Sequence, residues 1–372
     1  MKRNRHIPLL AALFAASPAL ADNGNITFYG MANLSLDRID TGTATNGTQG
    51  TSNLRVASNG SRFGLKGAED VGGGLSVKWQ IESLVSLDNA GGTFATRNSF
   101  ASLVNKAYGS VLLGRYDTPY KVITRKLDNF ADSIADNRSL FGTVSNASAS
   151  KSFVTKQPDV FAYTSPDLNG ATISLAHVNL SETATKATDK KDSANSLSFA
   201  YDNGTLYGAM GYETHTLESV RAGGKESAWN MALAYKVEDY SLAFVYEKTK
   251  DELGGAAAPA ACAALTAGAD CLGHSAYYLT GKYTLDSDSF KIAYTSAGKL
   301  GGRSNTGASQ FSLGYDHRLS KRSTLFALYT RLSNESAASY GLGSAAYTSS
   351  NTAAIGAGAD FSAFSFGLKH SF

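Results

Sequence analysis

The amino-acid sequence predicts an all-β fold, namely a 16-stranded antiparallel transmembrane β-barrel. Apolar and polar residues alternate with a period of two along many segments, which is the pattern of strands with one apolar and one polar face. The connections between these segments alternate between long and short, as in an up-and-down barrel with short turns at one rim. Beyond the N-terminal region, no apolar run is long enough for a transmembrane helix.

The N-terminal segment has the three parts of a secretory signal peptide. Lys2, Arg3 and Arg5 supply positive charge, residues 7–16 form a short apolar run, and Ala19–Ala21 matches a cleavage site. We therefore expect residues 1–21 to be removed and residues 22–372 to form a single barrel domain. Cleavage leaves 31 Lys and Arg against 31 Asp and Glu, so nucleic acid is not an expected partner.

The strands follow one another at regular intervals through the rest of the chain. The segment at 75–82 illustrates the pattern, because apolar Leu75, Val77, Trp79 and Ile81 alternate with polar residues. The sixteen predicted strands lie near 26–38, 54–67, 74–88, 96–105, 109–116, 157–165, 170–180, 194–202, 204–216, 226–237, 240–250, 275–285, 288–299, 308–318, 322–333 and 361–372.

A soluble β-sandwich is the alternative architecture. Its strands also alternate, but it has no reason for an even strand count or for regular loop asymmetry. A closed barrel accounts for both, and closure pairs every backbone group, as a bilayer requires. Sixteen strands also enclose a lumen wide enough to hold water.

The sequence carries few signs of other chemistry. It contains no H-E-x-x-H zinc motif, no phosphate loop and no G-x-S-x-G elbow, so neither an enzyme nor a cofactor site is predicted. Cys262 and Cys271 are the two cysteines of the chain, in an outer loop at 251–274. In an oxidising compartment we expect them to form a disulfide, with two free thiols or a metal pair as the alternatives.

Several stretches resemble the general, non-specific trimeric porins of the Gram-negative outer membrane, of the beta-proteobacterial type. The most specific are "SRFGLKGAEDVGGGLSVKWQIE", "RNSFASLVNKAYGSVLLGRYDTP" and the terminal "FGLKHSF". The resemblance implies short periplasmic turns, long outer loops and a third loop, about 116–156, folded into the lumen as a constriction. It also implies that Phe366, Leu368, His370 and Phe372 form a C-terminal assembly signal.

The resemblance further implies that acidic groups of the third loop face basic groups on the barrel wall. Arg62, Lys66 and Lys78 lie opposite the apolar parity of their strands, which predicts that they point into the lumen. Arg97 and Arg115 complete the basic set, and the loop offers Asp117, Asp128, Asp132 and Asp136. The loop also carries Lys121, Arg125, Lys126 and Arg138, so its own charges nearly cancel and the ion preference stays open.

The function that this resemblance implies is passive diffusion of ions and small hydrophilic solutes through a water-filled outer-membrane pore. A substrate-selective porin is the nearest alternative, followed by an adhesin or an enzyme on a barrel scaffold. The implied partners are two further copies in a homotrimer, outer-membrane lipid with lipopolysaccharide, periplasmic chaperones and the barrel-assembly machinery.

Overall fold

The computed structural model describes residues 26–89, 94–142, 153–181, 191–256, 260–343 and 355–372, and the predicted signal peptide lies outside them. Within these residues, seventeen strands pair into one antiparallel sheet. The strands are β1 Thr27–Thr41, β2 Ser52–Ser58, β3 Arg62–Gly72, β4 Leu75–Leu84, β5 Ser99–Asn105, β6 Gly109–Asp117, β7 Lys156–Thr164, β8 Ala171–Asn179, β9 Ser193–Asp202, β10 Leu206–Thr216, β11 Lys225–Val237, β12 Tyr240–Asp251, β13 Ser275–Leu285, β14 Asp288–Ala297, β15 Ala308–Arg318, β16 Ser323–Asn334 and β17 Phe361–Ser371.

The sheet closes because β1 pairs with the last strand as well as with its neighbours in sequence. One edge of β1 runs antiparallel to β17, and the other edge pairs first with β3 and then with β2. The strands β2 and β3 are thus two halves of one barrel strand, interrupted at 59–61, where Gly60 has a positive φ of 68°. The predicted 16-stranded barrel is confirmed, with its second strand split in a way that the alternation pattern does not reveal.

Short turns join the strands at one rim. Glu238 and Asp286 adopt left-handed φ values of 49° and 51° in two of these turns, between β11 and β12 and between β13 and β14. The opposite rim carries the longer connections, among them the helices α1 Pro119–Arg125 and α2 Ala260–Ala263 and two 3-10 turns, Asn137–Ser139 and Leu300–Gly302. Within the described ranges, no helix has the length and apolar character needed to cross a membrane.

The two faces of the sheet differ as the alternation predicts. Large apolar side chains such as Phe364, Met210 and Leu313 point outward and stay exposed, since they meet lipid rather than a protein core. Polar side chains such as Glu247 and Thr330 point inward and are buried. The largest cluster of buried apolar residues lies inside the barrel, where Phe130, among others from the third loop, packs on the wall.

Candidate functional site

The connection between β6 and β7 enters the interior of the barrel. Its helix α1 starts after Thr118 with Pro119 in the first turn, where a missing N–H costs nothing. The backbone N–H of Tyr120 donates to Ser196 Oγ on β9 (3.0 Å), and the hydroxyl of Tyr207 on β10 donates to the carbonyl of Ile123 (2.7 Å). These contacts fix α1 against the inner wall formed by β9 and β10.

A glycine makes this close approach possible. Gly211 on β10 lies directly under the helix, and a Cβ at this position would come within 2.9 Å of Ile123 Cδ1 and 3.2 Å of the Tyr120 Cα. Both contacts are tighter than ordinary van der Waals packing, so a side chain at this position would require Ile123 or the backbone of α1 to shift.

After α1, the loop crosses the lumen to the opposite wall. Asn129 donates to Thr280 Oγ1 on β13 (2.9 Å), and Asn33 on β1 donates to the carbonyl of Asp132 (3.0 Å). Ser139 then donates to Gln310 Oε1 on β15 (2.5 Å). The third loop therefore bridges the barrel from β9 and β10 to β1, β13 and β15.

Inside the loop, one arginine gathers three carboxylates. The Arg125 guanidinium lies 2.9 Å from Asp128, 3.1 Å from Asp132 and 2.8 Å from Asp136. Arg138 forms a second ion pair with Asp136, at 2.6 Å. Three of the four predicted acidic residues are thus brought together, but their principal partners are cations of the loop itself.

The carboxyl groups in this cluster have shifted pKa values. Burial alone would raise the pKa of Asp132 and of Asp136, but the Arg125 guanidinium outweighs it and holds both below the ordinary range, with help from Arg62 and Arg138 respectively. Burial, followed by the charge of Asp136, raises the pKa of Asp128 despite the nearby Arg125.

Asp132 is the residue of this cluster that also meets the wall. Arg62 Nη1 on β3 donates to Asp132 Oδ2 at 3.0 Å, and both side chains are largely buried. Arg62 points inward, as its parity predicts, and it is the predicted wall base that pairs directly with a predicted loop acid. This ion pair therefore attaches the loop to the wall.

Arg97 lies in a separate cluster with a wall carboxylate. Its guanidinium pairs with Glu82 on β4, and the Tyr29 hydroxyl donates to the other carboxylate oxygen of Glu82 at 3.0 Å. The ammonium of Lys66 lies 5.0 Å from the centre of the Tyr29 ring, a cation–π arrangement. Arg97 and Lys66 thus sit near each other around Tyr29.

The remaining predicted residues lie elsewhere. Asp117 pairs with Lys121 of α1 and with Lys156 (3.3 Å), at the foot of the loop. Lys78 faces a cavity under α1. Arg115 has the outward parity of Leu113 and lies at a bulge between Gly114 and Tyr116.

Arg115 is not brought together with the other predicted bases. Its Nε donates to the carbonyl of Thr96 at 3.0 Å, near the outer end of β5. The physical reason is parity: Arg115 lies on the outward parity of the exposed Leu113, whereas Leu112 and Tyr116, on the other parity, line the lumen cavity.

Several residues of the site were not among the predicted ones. Glu82 and Tyr29 share the polar, inward parity of their strands, so alternation could have identified both. Lys369 on β17 is also exposed on the inward face. By contrast, the contacts of Tyr120 and Tyr207 depend on the path of the loop, for which the sequence has no periodic signal.

The predicted disulfide between Cys262 and Cys271 is confirmed. Both cysteines are buried in a cluster with Tyr120 and Phe153, which belong to the two ends of the third loop. The ring of Phe153 also stacks on His215, with 4.2 Å between ring centroids. The disulfide-bearing loop therefore packs on the third loop and does not stand apart at the rim.

His215 and its neighbours form a buried anchor behind the loop. The imidazole contacts Glu213 at 2.9 Å and Glu226 at 3.3 Å, and all three side chains are inaccessible to solvent. Nearby, Glu247 accepts from the Tyr120 hydroxyl (2.7 Å) and from the N–H of Gly142 (2.8 Å). The carboxylates of this wall thus hold the loop and do not face the open lumen.

The proposed assembly residues lie on the closing strand. Phe366 and Leu368 point outward, and His370 contacts Ser323 Oγ at 2.9 Å. Phe372 exchanges two backbone hydrogen bonds with Gly30 on β1, at 3.0 and 3.1 Å. The geometry describes a paired, lipid-facing strand end, and its role as an assembly signal stays a prediction.

The proteins that match this sequence are bacterial outer membrane proteins. Outer membrane porin protein 32 of Delftia acidovorans is 24% identical over 347 residues, covering 89% of this chain and 90% of that protein. An outer membrane porin protein of Bordetella pertussis is 26% identical over 309 residues, 72% and 76% of the two chains. Major outer membrane protein P.IB of Neisseria sicca is 29% identical over 157 residues, and the match spans only 43% of that relative.

Solved structures share the fold. The anion-selective porin from Comamonas acidovorans superposes with a TM-score of 0.76 at 21% identity, over 93% of this chain and 99% of that one. OmpF of Salmonella typhi, in complex with daunomycin, gives 0.65 at 16% identity, over 94% and 98%. The family model described as Gram-negative porin matches residues 9–337. The chain therefore belongs to the Gram-negative porin family.

Proposed function

We propose that the protein is a passive diffusion channel of the outer membrane, with a weak preference for anions. Its pore is the lumen that the third loop narrows, and the Arg62–Asp132 ion pair fixes one side of the passage. Small hydrophilic solutes pass through the remaining water-filled space without covalent chemistry, in keeping with a family whose members are channels.

The observation that carries the anion preference concerns the charges of the lumen: several lysines are exposed without an ion pair, whereas the carboxylates of the third loop are neutralised by arginines. Lys66, Lys78 and Lys369 are exposed on the inward face, and within the described residues none of them belongs to an ion pair. The loop carboxylates are held by Arg125, Arg138 and Arg62, as described above. A passing ion thus meets uncompensated positive charge, which lowers the barrier for anions in a narrow, low-dielectric passage.

The predicted constriction residues contribute unequally to the passage and to its electrostatic field. Arg62 and Asp132 join loop and wall, whereas Asp128 and Asp136 shape the loop from within. Arg97 contributes less to the field, since Glu82 compensates its charge. This arrangement differs from a simple acidic loop facing a basic wall.

Reconstitution into planar bilayers tests the proposal. We expect stepwise ohmic conductance in KCl and a reversal potential under a salt gradient that has the sign of anion selectivity. Failure to form channels from a folded, heat-modifiable preparation would contradict the diffusion function. A strongly cation-selective channel would contradict the assignment of the exposed lysines.

The oligomeric state and the assembly partners are part of the same proposal. Family membership supports a homotrimer, with lipopolysaccharide around it and with periplasmic chaperones and the barrel-assembly machinery acting on the way to the membrane. Native mass spectrometry of the detergent-extracted protein tests the trimer, and a purely monomeric species would refute it.

A further inference from the structure

The lumen contains a cavity whose lining is unusual for a water-filled pore. It lies between α1 and the arc of wall from β4 to β10 and has a volume of about 640 Å³. Inward positions of this arc are apolar at Phe100, Val104 and Leu112, where alternation predicts polar side chains. On the loop side, Val122 of α1 is 45% exposed. Apolar surface on both sides of a cavity marks a place that an apolar group can fill.

The cavity lining also contains one cation that forms no ion pair among the described residues, and the Asp167 carboxylate of the lining accepts from the backbone N–H of Gly170 at 2.6 Å. Lys78 on β4 is exposed in the lining, and within the described chain it forms no ion pair. The other lysine of the lining, Lys126, is already engaged, because its ammonium pairs with Asp202 (2.9 Å) and lies 3.6 Å from the centre of the Tyr207 ring. A single anionic group would therefore be attracted to Lys78.

Aromatic side chains define the shape of the apolar part. Phe100 and Tyr116 meet edge to face, with 5.1 Å between ring centroids, and Tyr207 closes the side next to Lys126. Flat rings pack favourably against such edges and faces. The lining thus fits a planar apolar body that carries one negative charge.

We propose that this cavity is a binding subsite for small aromatic monocarboxylates, with the carboxylate at Lys78 and the ring between Val122 and Leu112. The inference rests on the proposed diffusion function and adds a solute class to it. Bound solute would occupy the space beside α1 and transiently reduce the flow of other ions.

Benzoate, compared with acetate, tests the subsite in single-channel recordings with KCl as the carrier. Both anions carry one carboxylate, so the comparison isolates the ring. We expect benzoate to reduce the KCl current at a concentration about tenfold lower than acetate, since partial burial of a ring supplies the difference. Equal effects of the two anions in a channel that conducts KCl would overturn the subsite and leave the diffusion function intact. Absence of KCl conductance would instead refute the diffusion function.

Two variants and a matched control locate the site. K78Q should raise the half-blocking concentration of benzoate about fivefold, because a charge-assisted contact is lost. V122S should weaken the block by benzoate and leave the effect of acetate unchanged. Lys282, on the inward parity of Thr280 on β13 and outside the cavity lining, gives the control K282Q. If K282Q weakened the benzoate block as much as K78Q, or if V122S changed nothing, the cavity would not be the site.

Discussion

Arg62 of the barrel wall and Asp132 of the third loop form an ion pair, with 3.0 Å between Nη1 and Oδ2. Their positions are 70 residues apart in the sequence, and the pair holds the loop against the wall at one side of the passage. Asp132 is shared, since Arg125 and Arg138 of the loop also lie within 3.5 Å of its other oxygen. The wall charge and the loop cluster are therefore one network.

This network predicts the effect of reversing the wall charge. R62E should move the reversal potential under a salt gradient toward cations, with the cation-to-anion permeability ratio rising about threefold, since the charge acts at short range in a narrow passage. The new carboxylate also faces Asp132, so the loop should loosen and R62Q should show the smaller shift. Lys250 lies near the outer end of β12, outside the passage, and K250E is the control. If R62E left the reversal potential unchanged while K250E shifted it, the result would contradict the placement of the passage.

The second prediction concerns the centre of the loop cluster. R125M removes the partner of three carboxylates, two of which are almost fully buried, and breaking such a network costs about 3–5 kcal/mol locally. The barrel should still fold, but the open channel should fluctuate more and its mean conductance should change. R125K should not restore the low current noise, because one ammonium group cannot replace the several hydrogen-bond donors of the planar guanidinium.

Its control is the adjacent residue. Lys126 pairs with Asp202, and both side chains are about half exposed. Since exposed pairs contribute about 0–1 kcal/mol, K126M should leave the current noise close to that of the unmodified channel. Equal noise in R125M and K126M would mean that the cluster does not hold the loop.

The third prediction is a pH dependence at the start of the loop. Burial lowers the pKa of Lys121 to about 8, although the neighbouring Asp117 raises it in part. Raising the pH from 7 to 9 therefore removes a positive charge next to Asp117. The reversal potential should move toward cations with a midpoint near pH 8, and K121M should abolish this step.

The same shift has a defined sign for stability. An unfolded lysine keeps its proton up to about pH 10.4, so between about pH 8 and pH 10 the unfolded chain binds more protons than the folded protein. The contribution of Lys121 to the free energy of unfolding thus rises with pH in this window. An unfolding equilibrium in which the K121M variant and the unmodified protein show the same pH slope would contradict the shifted pKa.

The strands and the site were predictable from the sequence to different degrees. Alternation identifies a strand because side chains on successive residues face lipid and lumen, and it correctly placed Arg62 on the inward face. It did not reveal the break at 59–61, which divides one strand into β2 and β3, and it gives Arg115 the outward parity of Leu113.

The charge pairing of the loop could not be predicted in the same way. The sequence shows that acidic and basic residues nearly balance, but the partner of each depends on the irregular path of the chain. Asp136 pairs with Arg138, two residues further along the loop, whereas Asp132 also pairs with Arg62 of the wall. Likewise, the disulfide was predictable from compartment and composition, but its packing on Phe153 was not.

That packing leads to the fourth prediction. Replacing both Cys262 and Cys271 with serine should destabilise the protein by about 2–3 kcal/mol in the chain-entropy model of a short closed loop. The barrel should remain folded by circular dichroism, yet channel noise should increase, since the cysteines pack on both ends of the third loop. A variant that is less stable but has the same current noise as the unmodified channel would show that the disulfide loop does not support the third loop.

The fifth prediction concerns the seam of the barrel. Phe372 forms two backbone hydrogen bonds with Gly30, and its ring stacks on Phe28 at 5.7 Å between centroids. A Cβ at Gly30 would lie 2.3 Å from the Phe372 ring, so this glycine leaves room for the aromatic side chain. Phe372 thus covers the place where the first and last strands meet.

We therefore expect F372S to reduce the amount of folded protein in the outer membrane, while channels that do assemble keep the conductance and selectivity of the unmodified protein. The reason is that the ring lies on the lipid side of the closing strand, remote from the charges that line the lumen. F199S removes another outward, half-exposed phenylalanine from the middle of the sheet and serves as the matched control. Comparable losses in F372S and F199S would indicate a general cost of removing lipid-facing aromatics, and only a selective loss in F372S supports a specific role of the seam in assembly.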